Sequence, residues 1–227
     1  MLIFVNIIII LFMSYFQKLK DGLYSAVISD ALDSLGYRNQ SPGISFNAYT
    51  GIEKIVGRCK TTLWADVYDI DEEPYKLELQ AVDSCVPGDI LICAAGGSVR
   101  SGIWGELLST AASNRGCSGV IVHGAVRDIR KMTEMGFPVF ATDKSPYDSL
   151  NRQRIIDVDV QVQIDGVAFN SGDLVFADED GIVVIPASVE EQVIARAFEK
   201  VGAENISRDA IRSGMKAGEV YLKYGIL

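Results

Sequence analysis

Apolar and polar positions switch between two periods along this chain, and the switch points outline its elements. Tyr24, Ile28, Ala31, Leu32 and Leu35 recur at helical spacing and predict an amphipathic helix ending at Gly36. A loop over residues 37–51 follows. Strand-like stretches surround Val56, Thr61-Thr62-Leu63-Trp64 and Ile90-Leu91-Ile92. Trp104, Leu107, Leu108, Ala111 and Ala112 then predict a helix with one apolar face, with Arg115 in its last turn and Gly116 as C-cap. Gly119-Val120-Ile121-Val122 is a short apolar run of the kind found in strands buried on both faces. Gly124-Ala125-Val126 is expected to turn the chain. Arg127-Asp128 opens a second helix ending at Gly136, and Phe137-Pro138-Val139-Phe140 reads as the next strand. Further on, Val158 to Ile164 alternates as one strand and Asp165-Gly166 makes a turn. Leu174-Val175-Phe176 and Ile182-Val183-Val184-Ile185 follow as strands. Ser188-Val189-Glu190-Glu191 has capping-box spacing before a long C-terminal helix. The mixture is α/β in class.

The N-terminus breaks the pattern. Met1 to Met13 is apolar except for Asn6. It is too short for a membrane span and lacks the charged start and cleavage site of a signal peptide. Residues 1–13 therefore read as an extension, from an over-long gene model or as a weakly membrane-associating tail, and residues 14–227 as one domain. Among the 227 residues, 48% are hydrophobic, enough for a substantial core. The net charge of −9 disfavours nucleic acid or anionic membrane as a partner. Cys59, Cys85, Cys93 and Cys117 show no C-x-x-C spacing and read as reduced, mostly buried thiols of a cytoplasmic protein. His123 is the single histidine, which removes Ser-His-Asp and His-rich zinc chemistry from consideration. It is read either as a pocket residue or, more simply, as a satisfied structural histidine.

The chemistry concentrates in the middle. Twenty residues separate Glu106 from Arg127-Asp128. One helix, one buried strand and one turn would bring two carboxylates and a guanidinium to a single sheet edge, where α/β folds place ligands. Two acids can hold a hard divalent cation, and an adjacent Arg can clamp a carboxylate bidentately. Each residue also has a plainer role. Asp128 stands where an N-cap belongs, Glu106 lies in a first helical turn, and Arg127 could be solvated. Upstream, Gly96-Gly97 permits positive φ, and the amides at the start of the following helix offer an anion site. No G-x-G-x-x-G or P-loop motif is present.

Gly96-Gly97-Ser98, the run from Trp104 to Leu108, the run from Gly119 to Asp128 and Gly136-Phe137-Pro138-Val139-Phe140 together resemble the RraA-like family. Ser29-Asp30-Ala31-Leu32, Gly172-Asp173, Asp180-Gly181 and the closing Tyr224-Gly225-Ile226-Leu227 extend the likeness. The resemblance implies a swivelling β/β/α domain, assembled as a homotrimer or dimer of trimers. It implies Mg²⁺ or Mn²⁺ held by Asp128 and by Glu106, the latter through water because the family position is often Asp. Arg127 and the backbone around Gly105, Glu106, Leu107 and Leu108 would bind a keto-acid substrate. Asp30 matches an acid that a neighbouring subunit supplies to the site, although Asp33 lies one turn away on a similar face.

The implied activity is that of a class II 4-hydroxy-4-methyl-2-oxoglutarate aldolase that also decarboxylates oxaloacetate. Both reactions leave the enolate of pyruvate. The alternative the family carries is a non-catalytic inhibitor of a ribonuclease. A methyltransferase reading lacks the Gly-rich cofactor loop it would need after a first strand.

Overall fold

The computed structural model describes residues 13–226, so the apolar run over residues 1–12 and the terminal Leu227 lie outside the described residues. The elements in chain order are a helix α1 through residues 13–22, α2 (Ser25–Ser34), β1 (Asn47–Ala48), β2 (Ile55–Asp66), α3 (Lys76–Asp83), β3 (Asp89–Ala94), β4 (Gly102–Trp104) and α4 (Glu106–Asn114). They continue with β5 (Gly119–Val126), α5 (Ile129–Met135), β6 (Val139–Lys144), β7 (Gln153–Val158), β8 (Val162–Ile164) and β9 (Val167–Phe169). The chain closes with β10 (Leu174–Asp178), β11 (Gly181–Ile185), α6 (Glu190–Arg212) and α7 (Ala217–Tyr224).

The main sheet runs β1-β6-β5-β3-β2-β10-β11, with β4 paired to the end of β5 and β7 to the second half of β2. Its centre, β6-β5-β3-β2, is parallel. That explains why Val120, Ile121 and Val122 form a continuous apolar run: each side of β5 meets core. Over one face lie the helices α3, α4 and α5, around Trp104, Leu91, Val120, Val122 and Met132. On the other face the β8–β9 hairpin supplies Val162, Ile164, Val167 and Phe169. Its turn, Asp165-Gly166, has positive φ at both residues, as a two-residue hairpin requires. Phe16, Leu19 and Leu23 join α2 and α6 over β10 and β11. Among the described residues no helix is long and apolar enough to cross a membrane.

Several expectations need correction. Trp104 ends a strand rather than starting the helix, and Leu107 is 77% exposed, so the buried face of α4 rests on Leu108, Ala111 and Ala112. Gly124-Ala125-Val126 does not turn; it continues β5 through a register shift against β6. The alternating run from Val158 to Ile164 is split between β7 and β8, where Asp159 takes positive φ. No side-chain cap starts α6: Val189 is its N-cap, and Glu190 instead pairs with Arg58 and accepts from Tyr15 Oη. The helix α3 and strand β1 have no counterpart in the sequence reading. The four cysteines are free, and Cys117 is the partly exposed one.

Candidate active site

A hydrogen-bonded corner fixes the entry to the site. Trp104 is buried, donates from Nε1 to Ser109 Oγ at 2.7 Å, and stacks against Phe137. Ser109 Oγ in turn donates to the Gly105 carbonyl at 2.9 Å. The turn from β4 into α4 is thereby locked by side chains of the helix's own first turns. Gly105 has no side chain to cap α4, so the amides of Leu107 and Leu108 have no carbonyl one turn earlier to bond. These are the free amides that could hold an anion. The Gly96-Gly97 turn offers none: Gly97 N–H donates to the His123 carbonyl and Ser98 N–H to that of Ala95, and β4 separates this turn from α4.

At the end of β5, Arg127 N–H donates to the Trp104 carbonyl at 2.9 Å, which places the next residue beside Gly105. Asp128 has φ 57° and ψ 28°, a left-handed conformation that most residues with a Cβ avoid and Asp adopts at a smaller cost. Its side chain makes no cap bond to α5 and therefore does not cap that helix. Its carboxylate instead turns back to α4, with Oδ2 3.4 Å from Glu106 N and 3.8 Å from Arg127 Nε. A Cβ on Gly105 would fall 2.7 Å from that same oxygen, so the approach requires glycine. Strain of this kind persists where the surroundings over-determine it, and it gathers at functional sites.

A cavity of about 300 Å³ opens here, lined by Gly105, Glu106, Leu107, Leu108, Arg127 and Asp128. The structure therefore brings together every proposed site residue except Asp30. That acid lies on α2 and pairs with Lys200 at 2.7 Å, away from the cavity of its own chain. Among the described residues no three His, Cys, Asp or Glu side chains gather into a metal cage. The oxygen donors Asp128 and Glu106 nonetheless suit Mg²⁺ or Mn²⁺, because hard cations of this size keep several waters and need one or two carboxylates. Thr110 Oγ1 donates to Glu106 Oε1 at 3.1 Å and holds one of its oxygens.

The cavity also contains residues the sequence reading missed. Asp148 Oδ2 pairs with Arg127 Nη2 at 2.7 Å, while Tyr75 Oη donates to Asp148 Oδ1 at 2.8 Å. Partial burial works against the Asp148 charge, but bonds from the Leu150 amide, Tyr75 and Arg127 outweigh it and lower its pKa. Burial, then the bond to Asp148, pushes Tyr75 up to about 12. Glu78 on α3 is 5% exposed and accepts from Ser149 Oγ at 3.4 Å. Burial pushes its carboxyl up to about 8. A signal for Glu78 existed: it precedes Ala81 and Val82 at helical spacing, on what proves to be the buried face. His123 is not a satisfied histidine: among the described residues its buried Nδ1 has no partner, and burial lowers its pKa.

An acid at the start of α4 and an Arg-Asp pair ending β5, on a sheet with a parallel centre, define a mixed α/β protein of the RraA fold. The chain belongs to the RraA-like family, whose model, described as Aldolase/RraA, matches residues 25–184. It is 30% identical over 196 residues to a Halalkalibacterium halodurans protein named as a proposed 4-hydroxy-4-methyl-2-oxoglutarate aldolase, covering 86% of this chain and 88% of that one. It is 28% identical to Protein DlpA of Legionella pneumophila over 84% of this chain, a match that spans 30% of DlpA. The solved structure of Streptomyces coelicolor RraAS2, an unusual member of the RNase ES inhibitor RraA protein family, superposes with a TM-score of 0.73 at 29% identity, covering 84% and 96% of the two chains.

Proposed function

We propose that this protein is a divalent-metal-dependent carbon–carbon lyase. It releases pyruvate from 4-hydroxy-2-oxo acids of the 4-hydroxy-4-methyl-2-oxoglutarate type and decarboxylates oxaloacetate. The observation that carries this reading is Asp128, whose carboxylate leaves its own helix α5 uncapped and shares one cavity with Arg127 and Glu106. The family relatives named for the aldolase activity support it.

Asp128 and Glu106 would hold Mg²⁺ or Mn²⁺, which when bound supplies Lewis-acid stabilisation of negative charge on the substrate's keto oxygen. Arg127 binds the substrate carboxylate. Asp148 fixes the guanidinium through Nη2, and Nη1 makes no hydrogen bond among the described residues. The amides of Leu107 and Leu108 supply further donors. In the aldol cleavage the substrate hydroxyl gives its proton through a water to Glu106. The bond between the hydroxyl-bearing carbon and its neighbour then breaks, and its electron pair moves into the pyruvate enolate, where Arg127 opposes the growing charge. Return of the proton to the enolate carbon completes pyruvate. Decarboxylation leaves the same enolate and loses carbon dioxide instead. Asp30 of a neighbouring copy completes the site, so the working form is a homotrimer or dimer of trimers.

The test is coupled pyruvate release from oxaloacetate and 4-hydroxy-2-oxo acids, with Mg²⁺ or with EDTA, beside light scattering on the same sample. Turnover that EDTA abolishes is expected. Likeness to RraAS2 supports a second reading, a ribonuclease inhibitor acting through protein contacts. Absence of turnover on every substrate, with tight binding to a ribonuclease, would favour it.

A further inference from the structure

The two reactions proposed for this site differ in where a proton comes from. Aldol cleavage frees the proton of the substrate hydroxyl, which can return to the enolate carbon. Oxaloacetate in its keto form has no hydroxyl, so its decarboxylation takes a net proton from another source. We infer that Glu78 is that source: a further catalytic residue whose carboxyl protonates the enolate carbon once carbon dioxide has left. The inference rests on the lyase reading and supplies a proton donor that the reading leaves unassigned.

Glu78, Glu106, Asp128 and Asp148 all line the cavity, and three of these carboxyls are committed elsewhere. Asp128 and Glu106 face the metal in the proposed mechanism. Asp148 is bound to Arg127 at 2.7 Å and to Tyr75 Oη at 2.8 Å. Glu78 makes no ion pair among the described residues, and its hydrogen bond is a long one from Ser149 Oγ, at 3.4 Å. Ser149 adjoins Asp148, and the charges of Asp148 and Arg127 both act on the Glu78 carboxyl. Glu78 therefore belongs to the same space as the guanidinium that binds the substrate. Behind it lies a void of only about 10 Å³, bordered by Thr62, Trp64 and Cys93, room for one water at most. Proton exchange between Glu78 and solvent runs through the substrate cavity.

The charged or titratable groups facing Glu78 are Asp148, Arg127 and Tyr75, with the Cys93 thiol behind it and Glu106 on the neighbouring helix. Burial and Asp148 disfavour its charge, against Ser149 and Arg127, and raise it to about 8. The Asp148 carboxyl is lowered instead. Two acids in one cavity are thus pushed apart into different roles: Asp148 stays ionised and orients Arg127, and Glu78 holds a proton near neutral pH. A general acid works best when its pKa lies close to the working pH. In the step itself, the bond to the leaving carboxylate breaks and its electron pair forms the carbon–carbon double bond of the enolate. The negative charge then rests on the former keto oxygen. Carbon dioxide departs, the enolate carbon takes the proton from a Glu78 oxygen, and Glu78 is left as a carboxylate. Water that enters as pyruvate leaves restores the proton.

The experiment measures pyruvate release by the full chain in Mg²⁺ from oxaloacetate and from 4-hydroxy-4-methyl-2-oxoglutarate, with the enzyme-free rate subtracted. The parent is compared with Glu78→Gln, which keeps the shape of the side chain but has no acidic proton to give to carbon; circular dichroism checks its fold. The kcat on oxaloacetate is expected to fall about a hundredfold, within the range of general acid catalysis, with KM nearly unchanged. Aldol cleavage by the same variant should fall far less, at most about tenfold, because its proton comes from the substrate. Parent decarboxylation should decline as pH rises through about 8, and Glu78→Gln should lose that decline. Equal losses in the two reactions, an unchanged kcat on oxaloacetate, or a pH decline that survives in Glu78→Gln would overturn the inference. A parent that cleaves the aldol substrate but leaves oxaloacetate intact would also overturn it, without touching the aldolase reading. A parent that releases no pyruvate from either substrate would defeat the lyase reading itself.

Discussion

Asp148 holds Arg127 by a 2.7 Å ion pair, and both line the same cavity as Asp128, the acid next to Arg127 in sequence. Arg127 thus lies between two carboxylates, Asp128 at 3.8 Å and Asp148, and the shorter contact sets its direction. Asp148→Asn keeps the shape of the contact and removes its charge. The expected result is a rise in KM of about tenfold with a smaller change in kcat, because substrate binding depends on a pre-oriented fork. Steady-state pyruvate release measures it, and an unchanged KM would remove Asp148 from the positioning of Arg127.

Asp128 separates function from stability. Glycine tolerates the left-handed conformation, so Asp128→Gly should keep the stability or raise it by up to about 1 kcal/mol through relieved strain. Metal-dependent turnover should vanish. Thermal unfolding alongside the EDTA-sensitive assay gives both readings, and a Gly variant with normal activity would sink the role of Asp128 as metal ligand.

Gly105 is the counterpart of that strain. In Gly105→Ala the new methyl would meet Asp128 Oδ2 at 2.7 Å and Arg127 Cγ at 3.1 Å, so both side chains must shift. Displacements near 1 Å at reacting groups cost about a hundredfold in rate. A drop of that order with a normally folded protein by circular dichroism is expected. Activity within about twofold of the parent would show that the approach of Asp128 to α4 is not required.

Glu78 makes stability depend on pH. Its carboxyl is raised from 4.5 to about 8 by burial, so between those values the folded chain holds a proton that the unfolded chain has lost. Stability must therefore fall as pH rises through that window and level off above it. Glu78→Gln removes the dependence. The variant should melt several degrees higher than the parent near the upper end of the window and show little gain near the lower end. A gain independent of pH would mean that Glu78 is already ionised when folded.

The sequence by itself determined the parts whose cause is local. Helical spacing from Tyr24 to Leu35, the apolar run of β5, the Asp165-Gly166 turn and the positive-φ glycine closing α5 all depend on near neighbours. Glu106 and Arg127-Asp128 were also legible, because a helix and one buried strand between them leave few ways to fold. Tertiary structure decided the rest. Whether Asp128 caps a helix or faces a cavity depends on a backbone angle that Gly105 and Trp104 impose from another element. Glu78 lies on the short α3, whose period marks a buried face but no chemistry; Tyr75 sits just before that helix, and Asp148 lies in an irregular turn after β6. Burial turns Glu78 from an ordinary surface acid into a proton holder, and desolvation is a property of the packed neighbours, which composition and spacing do not contain.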